Sequence, residues 1–105
     1  MLGDLMGKMQ EAQKKIEETK KRLDSVFVDA ESESGMVKVT ANANMKITNI
    51  SISDNLMQDA DKEAIEDLII VAVNKALEQA KSIQEIEMAK AAQGAMPNLG
   101  NIFGK

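Results

Sequence analysis

The chain has 105 residues, with 13 Lys or Arg against 17 Asp or Glu for a net charge of −4, and it contains no Cys, His, Trp or Tyr. That length fits one domain with a small core built from Ile, Leu, Val and eight Met, a size at which oligomerisation is a natural remedy for limited burial. Without Cys and His there is no disulfide scaffold, no usual zinc site and no common nucleophile–base pair, and the acidic balance points away from an ordinary nucleic-acid binder.

The opening MLGDLMGKMQ has no apolar h-region and does not read as a signal peptide. No apolar run approaches the roughly 18 residues of a membrane span, so a cytoplasmic chain is expected. Residues 4–23 are predicted as a helix. Leu2, Leu5, Met9, Ala12, Ile16, Thr19 and Leu23 recur at alternating steps of three and four, which is a heptad seam. Ala12 and Thr19 fill little space, so this seam is expected to lie against the long helix or a partner's copy of it. Gly3 and Gly7 predict a frayed first turn.

From residue 25 the period changes to two. Val26, Val28 and Ala30 alternate with Phe27, Asp29 and Glu31, and Ser34–Gly35 signals a turn. Val37 and Val39 alternate with Lys38 and Thr40 in a second strand ending at Asn42. Asn42-Ala-Asn44 is the next turn, on the ground that Asn tolerates a left-handed backbone. The third strand places Thr48, Ile50 and Ile52 on one mostly apolar face and Ile47, Asn49 and Ser51 on the other. Three strands with short connections make an antiparallel meander that needs a helix on one face.

Asp54–Met57 leaves the sheet, and Asp59 or Asp61 caps a long helix running to about Ala92. Six apolar residues in a row, Leu68–Val73, would suit a buried strand, but no Gly or Pro occurs between Asp54 and Gln93, which is far too long for one. As helix, Ile65, Ile69, Ala72 and Ala76 form one stripe, and Ile70, Val73, Leu77 and Ala80 form a second about 100° around the axis. The combined face is too wide for one contact. A second copy of the chain is therefore expected on Leu68, Ile69, Ala72, Val73, Ala76 and Leu77. Asn74 beside them is either a cross-interface amide or a solvent-facing one. Residues 1–93 read as one domain and 94–105 as a flexible tail, whose Leu99, Ile102 and Phe103 are a short apolar cluster.

No catalytic constellation is visible. The carboxylates sit on polar helix faces or at helix starts, and no glycine-rich phosphate loop follows a strand. Asp59 and Asp61 have the spacing of two early calcium-loop ligands, but the required glycine and distal Glu are missing, and capping accounts for them. The one lead is the first helix. Six of the basic residues fall in residues 1–24; Lys8, Lys15 and Arg22 form one stripe, Lys14 and Lys21 another, with Asp4, Glu11 and Glu18 between. Glu11–Lys15, Glu17–Lys21 and Glu18–Arg22 are possible i,i+4 pairs worth about 0.2–0.5 kcal/mol each, which is a complete structural explanation of the pattern beside the phosphate-binding one.

Gly35-Met-Val-Lys-Val-Thr-Ala-Asn42, Ile50-Ser-Ile-Ser-Asp54 and Glu66-Asp-Leu-Ile-Ile-Val-Ala-Val-Asn-Lys-Ala-Leu77 closely resemble the YbaB/EbfC family of bacterial nucleoid-associated proteins. Met6-Gly-Lys-Met-Gln-Glu-Ala-Gln13 resembles that family's first helix, and the likeness spans residues 1 to about 90. The turn Asn42-Ala-Asn44 commonly contains Gly in the family, and Ser53-Asp54-Asn55 replaces a common Asp-Pro. The resemblance implies an α+β homodimer with projecting helical arms, located in the cytoplasm at the nucleoid. It implies binding of double-stranded DNA without a cofactor or small-molecule substrate, roles in nucleoid organisation and gene regulation, and no enzyme activity. The matching arm positions here are Lys8, Lys14, Lys15, Lys21 and Arg22. Low sequence specificity is expected, since no side chains form a base-reading constellation. A protein–protein adaptor that uses the arms and the Met-rich N-terminus is the alternative.

Overall fold

The computed structural model describes residues 2–95, and the tail expected over 94–105 lies almost wholly outside the described residues. Six elements follow in order: α1 (Leu2–Leu23), β1 (Phe27–Ser32), β2 (Val37–Asn42), β3 (Ile47–Ile52), α2 (Asp54–Asp59) and α3 (Lys62–Ala95). This is the expected helix, three-stranded antiparallel meander and long helix, with one addition. The sheet order is β1-β2-β3.

The alternation in β1 and β2 places Val28, Ala30, Val37, Val39 and Ala41 on one buried face. Glu33 (φ 51°), Ser34 (φ 54°) and Gly35 (φ 90°) are the three left-handed residues of the β1–β2 turn, and the positive φ of Ser34 and Gly35 matches the twist of a tight hairpin. The β2–β3 turn works differently from expectation. Its left-handed residue is Met45 (φ 63°), not an asparagine. Asn42 acts through its side chain instead, with Oδ1 accepting from the Asn44 N–H at 2.9 Å and the Lys46 N–H at 3.2 Å.

The faces of β3 also differ from the simple alternation. Val37 pairs with Ile52, Val39 with Ile50, and Ala41 with Ile47, so the register shifts by one residue at Thr48. This β-bulge brings Ile47 onto the same face as Ile50 and Ile52, and Thr48 lies outside the pairing with its hydroxyl donating to the Thr40 carbonyl at 3.3 Å.

Asp54–Asp59, expected only to leave the sheet, is the short helix α2. Ser53 Oγ accepts from the Leu56 N–H at 3.1 Å as its cap, and Leu56 is buried under the sheet's inner face. Of the two candidate caps for α3, Asp61 is the one used: its Oδ1 accepts from the Ala64 N–H at 2.8 Å. The apolar front of α3 then crosses β1 and β2, touching the sheet with Ala72, Ala76 and Ala80, each fully buried. A row of alanines lets the helix axis come close to the strands. On one flank, Ser32 Oγ donates to the Leu68 carbonyl at 2.8 Å and Lys75 Nζ donates to the Glu31 carbonyl at 3.2 Å, which fixes this flank on the β1 edge. The helix packs on β1 and β2 and scarcely reaches β3.

The helices outrun the sheet. The described residues extend 68 × 27 × 16 Å with a radius of gyration of 19.6 Å, against about 12 Å for a compact chain of this size. α1 packs antiparallel on the rear of α3 and forms an arm with it. α1 is helical from Leu2 and passes through both Gly3 and Gly7, so the fray expected there is not seen.

Candidate nucleic-acid interface

The arm carries every basic residue singled out in the first helix. Lys8, Lys14, Lys15, Lys21 and Arg22 are all exposed. They are so because the heptad seam decides which way α1 faces: Thr19 and Leu23 are buried, Ala12 and Ile16 half-buried, and the cations occupy the remaining circumference. Above Ala12 the seam has no described partner on α3. Leu2, Leu5 and Met9, on that same seam, are exposed, as is Met6.

The root of the arm is held by Asn44. Its Nδ2 donates to the Lys20 carbonyl at 2.8 Å and to Asp24 Oδ1 at 2.7 Å, and its Oδ1 accepts from Gln84 Nε2 at 3.2 Å. One turn residue thereby joins the end of α1, the sheet and the rear of α3. Close by, the Ala43 N–H donates to the Val26 carbonyl at 2.8 Å.

The structure separates the cations. Lys15 and Arg22 open onto a cleft of about 430 Å³ between α1 and α3, together with Glu18, Glu87 and Lys90. Lys21 lies on the other side, near Lys20, Asp24 and Gln84. Lys8 and Lys14 border neither depression. In the cleft the Arg22 guanidinium donates to Glu87 Oε1 at 2.8 Å, and Lys90 Nζ stands 3.6 Å from Glu87 Oε2. The Arg22 hydrogen bond holds the Glu87 carboxyl below the ordinary glutamate value, partial burial opposes this, and Lys90 adds a smaller downward pull. These two are the ion pairs among the described residues, so none of the expected pairs Glu11–Lys15, Glu17–Lys21 and Glu18–Arg22 is closed. An exposed pair gains little over hydration and must immobilise two long side chains, which leaves Arg22 free to choose the better-placed Glu87.

Glu87 and Lys90 were not among the expected site residues. Their i,i+3 pairing is readable from spacing, but the link from Glu87 to Arg22 joins residues 65 positions apart. Among the described residues no three acidic side chains come together as a metal site.

The expected interface residues fall into two groups. Ala72 and Ala76 have no exposed surface, because the protomer's own sheet covers them. Leu68, Ile69, Val73 and Leu77 are half-buried, and Asn74 faces solvent. Among the described residues, the large apolar side chains exposed on this helix are Ile70 (55%), Val71 and, further along, Ile86. Ile70, Val73 and Leu77 share the flank away from β1, next to the uncovered inner face of β3 where Ile50 is exposed. Met57 of α2 is exposed as well.

Comparison with known proteins agrees with this architecture. A solved structure of an uncharacterized protein from Helicobacter pylori superposes with a TM-score of 0.72 over 81% of this chain and 89% of that one, at 21% identity, which shows the shared fold. A nucleoid-associated protein of Flavobacterium johnsoniae is 46% identical over 95 residues, covering 90% of this chain and 88% of that protein. Another, from Chlorobium phaeobacteroides, is 37% identical over 95 residues, covering 90% and 84%. The model of the YbaB/EbfC DNA-binding family matches residues 1–96, and with that coverage the chain belongs to this family.

Proposed function

We propose that this protein binds double-stranded DNA as a homodimer of low sequence specificity, acting at the nucleoid of the cytoplasm in chromosome organisation and gene regulation. The observation that carries the reading is the exposure of Lys8, Lys14, Lys15, Lys21 and Arg22 along one projecting helix of 22 residues, about 33 Å long. Such a rod offers several ammonium and guanidinium groups to successive phosphates, and phosphate contacts position a protein without reading sequence. The relatives named as nucleoid-associated proteins support the same reading. No cofactor is needed for contacts of this kind.

A second copy fits the notch between the inner face of β3 and the Ile70, Val73, Leu77 flank of α3. The helix scarcely reaches β3, and Ile50, Met57 and Ile70 are exposed around it. Pairing there would cover the apolar surface that one protomer leaves open, and would present two arms to the duplex. Leu68 and Ile69 would border the contact, whereas Ala72 and Ala76 would support it from within the protomer.

The test is fluorescence anisotropy of the purified protein titrated against an arbitrary short duplex. Saturable binding should weaken by orders of magnitude between about 50 and 200 mM salt, as counterions released by phosphate contacts require. Absence of binding at low salt would overturn the DNA reading. One observation favours a second reading, a protein–protein adaptor: Leu2, Leu5, Met6 and Met9 form an exposed apolar patch at the tip of the arm. A contact made there would persist at high salt.

A further inference from the structure

The cleft on the arm holds three cations, Lys15, Arg22 and Lys90, and two carboxylates, Glu18 and Glu87. Glu87 has already taken the best donor in it. Its Oε1 lies 2.8 Å from the Arg22 guanidinium, and its other oxygen faces Lys90 at 3.6 Å. A guanidinium recognises the planar pair of oxygens of a carboxylate and two oxygens of a phosphate by the same forked geometry. The Arg22 side chain is 54% exposed while that of Glu87 is 25% exposed, so Arg22 remains open to solvent while it is paired. The pair is not required to hold α1 in place, since the buried Thr19 and Leu23 and the hydrogen bonds of Asn44 already do so. An ion pair this exposed adds little stability. Its larger effect is on the field of the cleft. With Glu87 the five charges sum to +1; without it they sum to +2.

We propose that the Glu87 carboxylate is a built-in stand-in for a backbone phosphate: it occupies Arg22 in the free protein, is displaced by the duplex, and holds the arm's DNA affinity below what its cations alone would give. The inference rests on the DNA-binding reading above and adds to it a named competitor. Lys90 belongs to the same site, because a phosphate on Arg22 would stand where Lys90 now faces Glu87. Displacement also changes the salt response. As the phosphate at Arg22 gives up its counterion, the displaced Glu87 carboxylate takes one up, so the wild-type salt dependence should be shallower than the number of phosphate contacts suggests.

The experiment is a set of anisotropy titrations with one short duplex at several salt concentrations, using the full-length wild type, E87Q, E85Q, R22Q and the double variant R22Q/E87Q. Glutamine at 87 keeps an oxygen that accepts from Arg22 and removes the charge. E87Q should tighten binding about fivefold at low salt and steepen the log–log salt slope by about one unit. E85Q makes the same change in net charge at an exposed position on the same helix and should change affinity less than E87Q does. In the R22Q background the gain from E87Q should fall to that of E85Q. Equal gains from E87Q and E85Q, or a gain that survives undiminished in R22Q, would overturn the proposal and leave DNA binding standing. Failure of every variant, wild type included, to bind at low salt would overturn both. A measurement on the wild type alone guards against a folding defect in E87Q: the Arg22 Nε–H resonance should shift and saturate along with the anisotropy, and a resonance unmoved at saturation would also overturn the proposal.

Discussion

The sheet end of the molecule and its helical arm use the same apolar residue types to different effect. At the sheet end, Val37, Val39, Ala41, Ala72, Ala76 and Ala80 are fully buried between two layers, so each is packed on all sides. In the arm, two helices meet along one seam, and the outer seam residues Leu2, Leu5 and Met9 are more than half exposed. The sheet end is therefore held by packing, whereas the arm is held at its root, by Thr19, Leu23 and the hydrogen bonds of Asn44. Stability and function are correspondingly divided. The cations that would meet phosphate lie where packing imposes least on the choice of side chain.

The largest expected effect comes from truncating the seam at its two ends. Leu23→Ala should cost about 3 kcal/mol, because it opens a cavity at a fully buried site. Leu5→Ala, near the exposed end of the same seam, should cost under about 0.5 kcal/mol. Urea unfolding of both variants checks this; a Leu5 loss as large as that of Leu23 would break the comparison by showing a packed distal arm in solution. Next in size is Asn44→Ala. It removes three hydrogen bonds at the arm's root and should cost about 1–2 kcal/mol, with faster amide hydrogen exchange in α1 than in β2. Equal acceleration in both would mean that the arm and the sheet end open together. The smallest effect is set by pH. Glu87 has a folded pKa below its ordinary value of 4.5, so its pairing contributes in full above that value and is lost as pH falls through the lower folded value. Hydrogen exchange of α1, corrected for intrinsic rates, should rise in that acid window in the wild type and stay flat in E87Q.

The comparison also shows what could be read from the chain. Periods of seven, two and 3.6 residues mark the helices and strands because each element buries one face, and the cations of α1 are readable as exposed because the seam occupies the opposite side. The bulge at Thr48 was not readable, since one extra residue in a six-residue strand leaves an alternation that still looks regular. α2 was hidden by its length: six residues show little periodicity, and its clearest signal is Ser53 three residues before Leu56. The alanines of α3 were seen as an apolar stripe, but whether such a stripe meets the chain's own sheet or another molecule depends on which strands it crosses. The partnership of Arg22 and Glu87 depends on how two residues 65 positions apart, on different helices, come to lie side by side, and no local spacing encodes it.

The length of α1 has a mechanical consequence. The helix leaves the sheet at Leu23 and runs about 33 Å, packed on α3 as far as Ala12 and unsupported beyond it toward Leu2. A rotation of about 10° at the root would carry the tip through about 6 Å, close to the spacing between neighbouring phosphates along one DNA strand. The reach of the arm is thus set at its root and not along its shaft. A change in how Asn44 joins Lys20, Asp24 and Gln84 would retune which phosphates the arm could reach without altering any residue proposed to contact DNA.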